Sequence, residues 1–129
     1  MATVRQPGST IDWFLPEDRD KDPEERTIFL IKVLTWDEWR AFVRKLETVS
    51  RSSTVGDVID AARRAIGVGL VDVHNLKVLT ASGDLEEFKL EKVRDELSMN
   101  SMAVLMPFKD RLIEAIQGAN QFQVNDVKN

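Results

Sequence analysis

The chain contains no cysteine. That removes disulfide frameworks and thiolate metal sites, and nothing points to an oxidising compartment. Histidine is almost as scarce: His74 stands alone, so no histidine pair can ligate a metal and one imidazole is left for general-base work. No nucleophile is visibly paired with it, and beside Asn75 it reads as a turn residue. Long apolar runs are missing as well. They fall far short of the roughly 20 residues a membrane span needs, and the opening "MATVRQPGSTIDW" has no apolar stretch of the signal-peptide kind. The expected setting is a cytosol, or a particle assembled there, without a membrane partner. Nor is there an excess of positive charge, since the net charge is −4 and the pI is near 5.1. Binders of nucleic-acid backbones depend on clustered Lys and Arg that release counterions. Arg51, Arg63 and Arg64 form the one local basic spot, so no nucleic-acid partner is expected.

What is present fits an ordinary folded domain. The 129 residues are 43% apolar and 31% charged, enough for one core. Residues 1–26 read as an N-terminal arm and acidic loop, 27–118 as the globular domain, and 119–129 as a polar C-terminal tail. Within the arm, residues 11–15 suit a short strand, and the run of Asp and Glu after it suits a mobile loop. "TIFLIKVL" at 27–34 is β-branched and apolar enough for a buried strand, which makes a hairpin with the first.

Thr35 with Glu38, and Thr54 with Asp57, have the spacing of a capping box, in which hydroxyl and carboxylate satisfy unpaired N–H groups at a helix start. Trp36, Trp39, Phe42, Val43 and Leu46 then recur at helical spacing over 36–49, as do Val55, Val58, Ile59, Ala62 and Ile66 in a second helix. Gly67 and Gly69 suit its C-terminal cap. Leu90, Val93 and Leu97 predict a helical segment over 89–97, and Met102–Met106 one helical turn stopped by Pro107. The last helix is expected over Pro107–Gln117, closed by Gly118. Ser82-Gly83-Asp84 marks a turn between 78–79 and 85–88. The expected fold class is therefore α+β: a small antiparallel sheet from 11–15, 27–34 and 78–88 packed on three or four helices. The alternative is a mainly α fold with one marginal hairpin.

Chemical motifs are few. Asp18, Asp20 and Asp22 alternate as the first ligands of a calcium loop would, but Pro23 stands where the loop needs glycine and Phe29 where it needs the bidentate Glu. "GVG" at 67–69 ends a helix where a phosphate loop would begin one. Adjacent carboxylates such as Glu86 and Glu87 point apart along an extended chain. No catalytic residue, cofactor or metal site is expected. The aromatic residues carry more information, because a tryptophan belongs either in a core or on a contact surface. Trp36 and Trp39 read as core-capping residues or as contact surface, and Trp13 is open in the same way.

The stretches "TIFLIKVLT" at 27–35, "GVGLVDVHNL" at 67–76, "ASGD" with Phe88, "LMPFKDRLIEAI" at 105–116 and the terminal "NQFQVNDVKN" resemble, in order and spacing, small tailed-bacteriophage proteins of the tail-assembly or tail-assembly-chaperone kind. The resemblance covers 27–129. It implies a non-enzymatic morphogenesis protein of the host cytoplasm or virion whose partners are other tail proteins, tape measure or tail tube, with a homo-oligomer open. On that reading the expected contact residues are Trp13, Phe14, Leu15, Trp36, Trp39, Phe122 and Val124. Two other classes stand beside it: a small regulatory or ubiquitin-like adaptor, and an enzyme built on converging Asp and Glu.

Overall fold

A computed structural model of the protein describes the backbone of residues 5–128 and the side chains of residues 5–120. The fold is α+β. Strand β1 (Thr10–Trp13) pairs antiparallel with β2 (Ile28–Lys32), as the hairpin reading expected. Two single-turn 3-10 segments, Pro16–Asp18 and Pro23–Glu25, occupy the acidic connection. Helix α1 (Trp36–Glu47) and helix α2 (Val55–Gly69) follow, each opened by the capping box its sequence spells. In both, the threonine oxygen accepts from the N–H three residues on while the carboxylate accepts from the threonine N–H.

The third strand of the sheet is not 78–88. It is β3 (Leu70–His74), which leaves α2 without a break and pairs antiparallel with β2 in the order β1-β2-β3. Gly67 and Gly69 are helical residues, not a terminal cap, and neither has a positive φ. Their role is close approach. A Cβ on Gly67 would lie 2.3 Å from the Asp95 carbonyl oxygen, and one on Gly69 would lie 2.6 Å from a methyl of Ile116. The turn around Ser82-Gly83 instead joins β4 (Lys77–Leu79) and β5 (Leu85–Glu87), a separate hairpin.

Residues 89–97 are not a helix either. They fold as a ribbon of β6 (Lys92–Val93) and β7 (Glu96–Leu97), turned by Arg94 at φ 60°. The ribbon is fastened to α2 from three directions. The Arg63 guanidinium donates to the Leu97 carbonyl at 2.9 Å, Arg64 pairs with Glu96 at 3.2 Å, and Lys92 Nζ donates to the Gly67 carbonyl at 2.9 Å. Helix α3 (Met99–Leu105) then runs through a 3-10 turn, Met106–Phe108, into α4 (Lys109–Lys128). Gly118 therefore does not end the last helix, and the expected tail from 119 onward is helical backbone as far as Lys128.

The register sets Trp13, Phe29 and Val73 side by side, and Ile11, Ile31 and Leu70 likewise. Phe29, Ile31, Leu70 and Val73 from these rows join Phe42, Ile66, Leu97, Met102, Leu105, Leu112 and Ile116 in one buried core. Sheet and helices thus form two layers, each hiding its apolar side against the other.

One polar side chain lies deep in that packing. Asn120, 1% exposed, sits on α4 against the end of β2. Its Oδ1 accepts from the Leu34 N–H at 2.7 Å, and its Nδ2 donates to the carbonyls of Ile116 at 2.9 Å and Lys32 at 3.3 Å. Leu34 has left the ladder but is fully buried, so its N–H has no water to turn to. The substitution Asn120→Ala would orphan it and lower stability by about 2–3 kcal/mol, read as a shift in the urea midpoint. A change below about 0.5 kcal/mol would mean that the clasp is dispensable. Gly67→Ala forces the β6–β7 ribbon off α2 and is expected to cost about 1–3 kcal/mol in the same measurement.

Candidate functional site

The acidic loop is built around a cation. Arg26 Nε donates to the carbonyls of Asp18 and Lys21, both at 3.0 Å, and one terminal nitrogen donates to the Arg19 carbonyl at 2.5 Å. The same guanidinium lies 4.5 Å above the centre of the Phe14 ring, a cation–π contact. Asn75, at φ 63°, donates from Nδ2 to the Glu24 and Arg26 carbonyls, and its own carbonyl accepts from the Thr27 hydroxyl. The loop expected to be mobile is therefore cross-linked internally by Arg26 and tied at its C-terminal end to the residue that follows β3. Asp18 is buried and paired with Lys21 at 3.0 Å, and no group of three or more His, Cys, Asp or Glu suited to a metal occurs among the described residues.

This arrangement redistributes the expected contact residues. Leu15 is a core residue, because the chain turns inward as it leaves β1. Phe14 is half-buried under Arg26. Trp13 packs its ring 5.5 Å from that of Phe29 and walls a groove of about 730 Å³ between β1 and α4. Ile11, Ile31, Ala115, Gly118 and Ala119 complete the apolar part of that groove, and the bidentate pair of Glu17 with Arg111, at 2.6 and 2.7 Å, closes one side. The side chains of Phe122 and Val124 lie outside the described residues.

Trp36 and Trp39 part company. Trp39 is half-buried, stacked at 5.6 Å on Phe42 of the same helix and packed against the core. Trp36 is 59% exposed. Arg40 and Arg44, four and eight residues on, share its side of the helix and are both exposed. Trp36, Trp39, Arg40, Val43, Arg44 and Glu47 surround a depression of about 300 Å³. Neither arginine forms an ion pair among the described residues, whereas Arg63, Arg64 and Arg111 all do. Of the local basic spot read from Arg51, Arg63 and Arg64, the latter two are thus consumed by Asp60 and Glu96. The open basic and aromatic surface is on α1, where the i, i+4, i+8 spacing of Trp36, Arg40 and Arg44 was a signal available in the sequence.

A third concavity, about 390 Å³, lies where β2, α1, α2 and the ribbon meet, and carries Lys32, Lys45, Lys92, Glu38 and Asp95. Glu38 both caps α1 and takes the Lys32 ammonium at 2.5 Å. Burial works against its charge, but the hydrogen bonds from Lys32 and from Thr35 prevail and hold the carboxyl below its ordinary value. Glu17 and Asp60 are held low in the same direction, by the hydrogen bonds of Arg111 and Arg63 respectively. The sole histidine is exposed, with Nε2 3.8 Å from an Asp72 oxygen. No described helix is long and apolar enough to cross a membrane.

Comparison with known proteins finds no matching family model, no curated relative and no solved structure that matches. Site assignment therefore rests on the chemistry above.

The depressed Glu38 carboxyl gives a signed pH dependence. A carboxyl whose folded pKa lies below its unfolded one contributes stability that is present above the unfolded value and is lost as pH falls through the folded value. Carbon-13 titration of Glu38 should give a midpoint below its ordinary value, moving upward in Lys32→Met. An unchanged midpoint in that variant would mean that the Thr35 cap alone sets it.

Proposed function

We propose that this protein acts without catalysis, by binding another polypeptide through the outer face of α1, as a tail-assembly component of a tailed bacteriophage. The carrying observation is Trp36, more than half exposed and flanked along one helix face by two arginines that form no ion pair among the described residues. Tryptophan and arginine are the residues in which binding energy concentrates at protein interfaces, and an exposed indole contributes little to the stability of its own domain. Trp39 and Val43 line the adjoining depression and give an incoming apolar side chain a floor. The partner best matched to this face is an amphipathic helix with acidic flanks, the chemistry expected of a tape-measure segment kept soluble before the tail tube forms around it.

One further feature supports this reading over an enzyme built on carboxylates. Carboxylates that depart from their ordinary values do so downward, in ion pairs or caps, whereas a general acid needs a raised one. The phage setting itself rests on the resemblance in the second half of the chain, with the host cytoplasm or the virion as the place of action.

Co-expression with tail-tube and tape-measure proteins tests the proposal. One of them should co-purify with wild type, and Trp36→Ala should weaken that binding roughly tenfold or more while the melting temperature moves by no more than about 2 °C. Undiminished binding in a Trp36→Ala, Arg40→Glu double variant would overturn it.

A further inference from the structure

We propose that the cup between β2, α1, α2 and the β6–β7 ribbon is a binding site for a small phosphate-class anion, held by Lys45 and Lys92 with Lys32 at its rim. This inference is independent of the proposed partner surface, which is formed by other residues of α1.

The cup is assembled by rigid backbone. Gly67 lets the ribbon approach α2 so closely that any Cβ would meet the Asp95 carbonyl and the backbone of Glu96 and Leu97. That approach carries Lys92 inward until its ammonium donates to the Gly67 carbonyl. Lys32 enters from the end of β2, Lys45 from α1, and Thr10 and Val71 from the neighbouring strands. Three lysines therefore line one opening together with two carboxylates, Glu38 and Asp95.

The charges are not paired off. Glu38 is committed to Lys32 and to the α1 cap, while Lys45 and Lys92 form no ion pair among the described residues. Lys92 is the more exacting case. Burial holds its pKa below the usual lysine value, Asp95 and Asp72 pull it back up, and Lys32 pushes it down. Among the described residues the Gly67 carbonyl is the one hydrogen-bond acceptor of this half-buried ammonium, which leaves two donors for solvent or a ligand. On a chain of net charge −4, a concavity lined by three lysines against two carboxylates is locally positive.

An anion supplies what is missing. Lysine ammonium groups are compact point charges, suited to an anion with oxygens on all sides, whereas a flat carboxylate is better matched by the fork of arginine. A tetrahedral phosphate can accept from Lys45 and Lys92 together, with the Thr10 hydroxyl as a neutral donor. A space of about 390 Å³ also leaves room for a small organic substituent.

Nitrogen-15 NMR titrations of the full chain with inorganic phosphate, glycerol phosphate and acetate, at constant ionic strength, test this. Phosphate should give saturable shifts at Gly67, Val68, Val71 and Lys92, and should raise the titration midpoint of the Lys92 ammonium. Lys45→Ala should weaken binding roughly tenfold. Lys45 carries no ionic partner, so this variant decides the matter even if Lys92→Met does not fold. A tighter response to glycerol phosphate assigns the site to organic phosphomonoesters, and an equal one assigns it to the free ion. Unsaturating shifts, an acetate response matching that of phosphate, or unweakened binding in Lys45→Ala would overturn the proposal.

Discussion

The end of β2 is where this fold is most constrained. Val33 and Leu34 are both fully buried as the chain leaves the ladder, and their backbone groups must be satisfied where water cannot reach. For Val33 the answer comes from the arm: its carbonyl accepts from the Gly8 N–H and its N–H donates to the Ser9 carbonyl. For Leu34 it comes from Asn120, 86 positions on. A segment near each end of the described chain is thus held by the same pair of residues. The strand that carries Phe29 and Ile31 into the core cannot be placed without both.

From that constraint the local features acquire their meaning. Thr35 starts α1 directly after the buried pair, so the capping box also fixes the angle at which Trp36 leaves the body. Glu38 then joins the cap to the end of β2 through Lys32. The backbone of α1 is consequently fixed at its first turn, and the buried Phe42 with Trp39 packed against the core holds the rest of the helix down, so the exposed face stands on rigid backbone.

How much of this could be read from the residues follows from sequence distance. Both capping boxes were legible because they act over three residues, and so were α1, α2 and the first hairpin, whose periodicities are strong. The ribbon at 92–97 was not. Leu90, Val93 and Leu97 fit a helical spacing, yet only Leu97 is fully buried, and nothing in an arginine announces φ 60° at Arg94. Gly67 reads as a helix stop in isolation, because its real reason is a backbone that arrives about 28 residues later. That misreading also hid β3, since a helix thought to be ending left "LVDVH" without a role. Asn120 sat in a polar stretch that had every appearance of a tail. In the site, Leu15 was misjudged for the same reason: a hydrophobic residue before a proline gives no sign of whether the chain turns toward the core.

The charged residues sort by what holds them, and the sorting points to function. Arg26 is spent on loop carbonyls and an aromatic ring, Arg63 and Arg64 on fastening the ribbon, and Arg111 on Glu17. Each holds two distant parts of the chain together, so its charge is explained by the fold. Arg40, Arg44, Lys45 and Lys92 have no carboxylate partner among the described residues and lie around concave surface. Lys92 also serves the fold, since its ammonium holds the ribbon to the Gly67 carbonyl, so the two proposed binding surfaces rest first on Trp36, Arg40, Arg44 and Lys45.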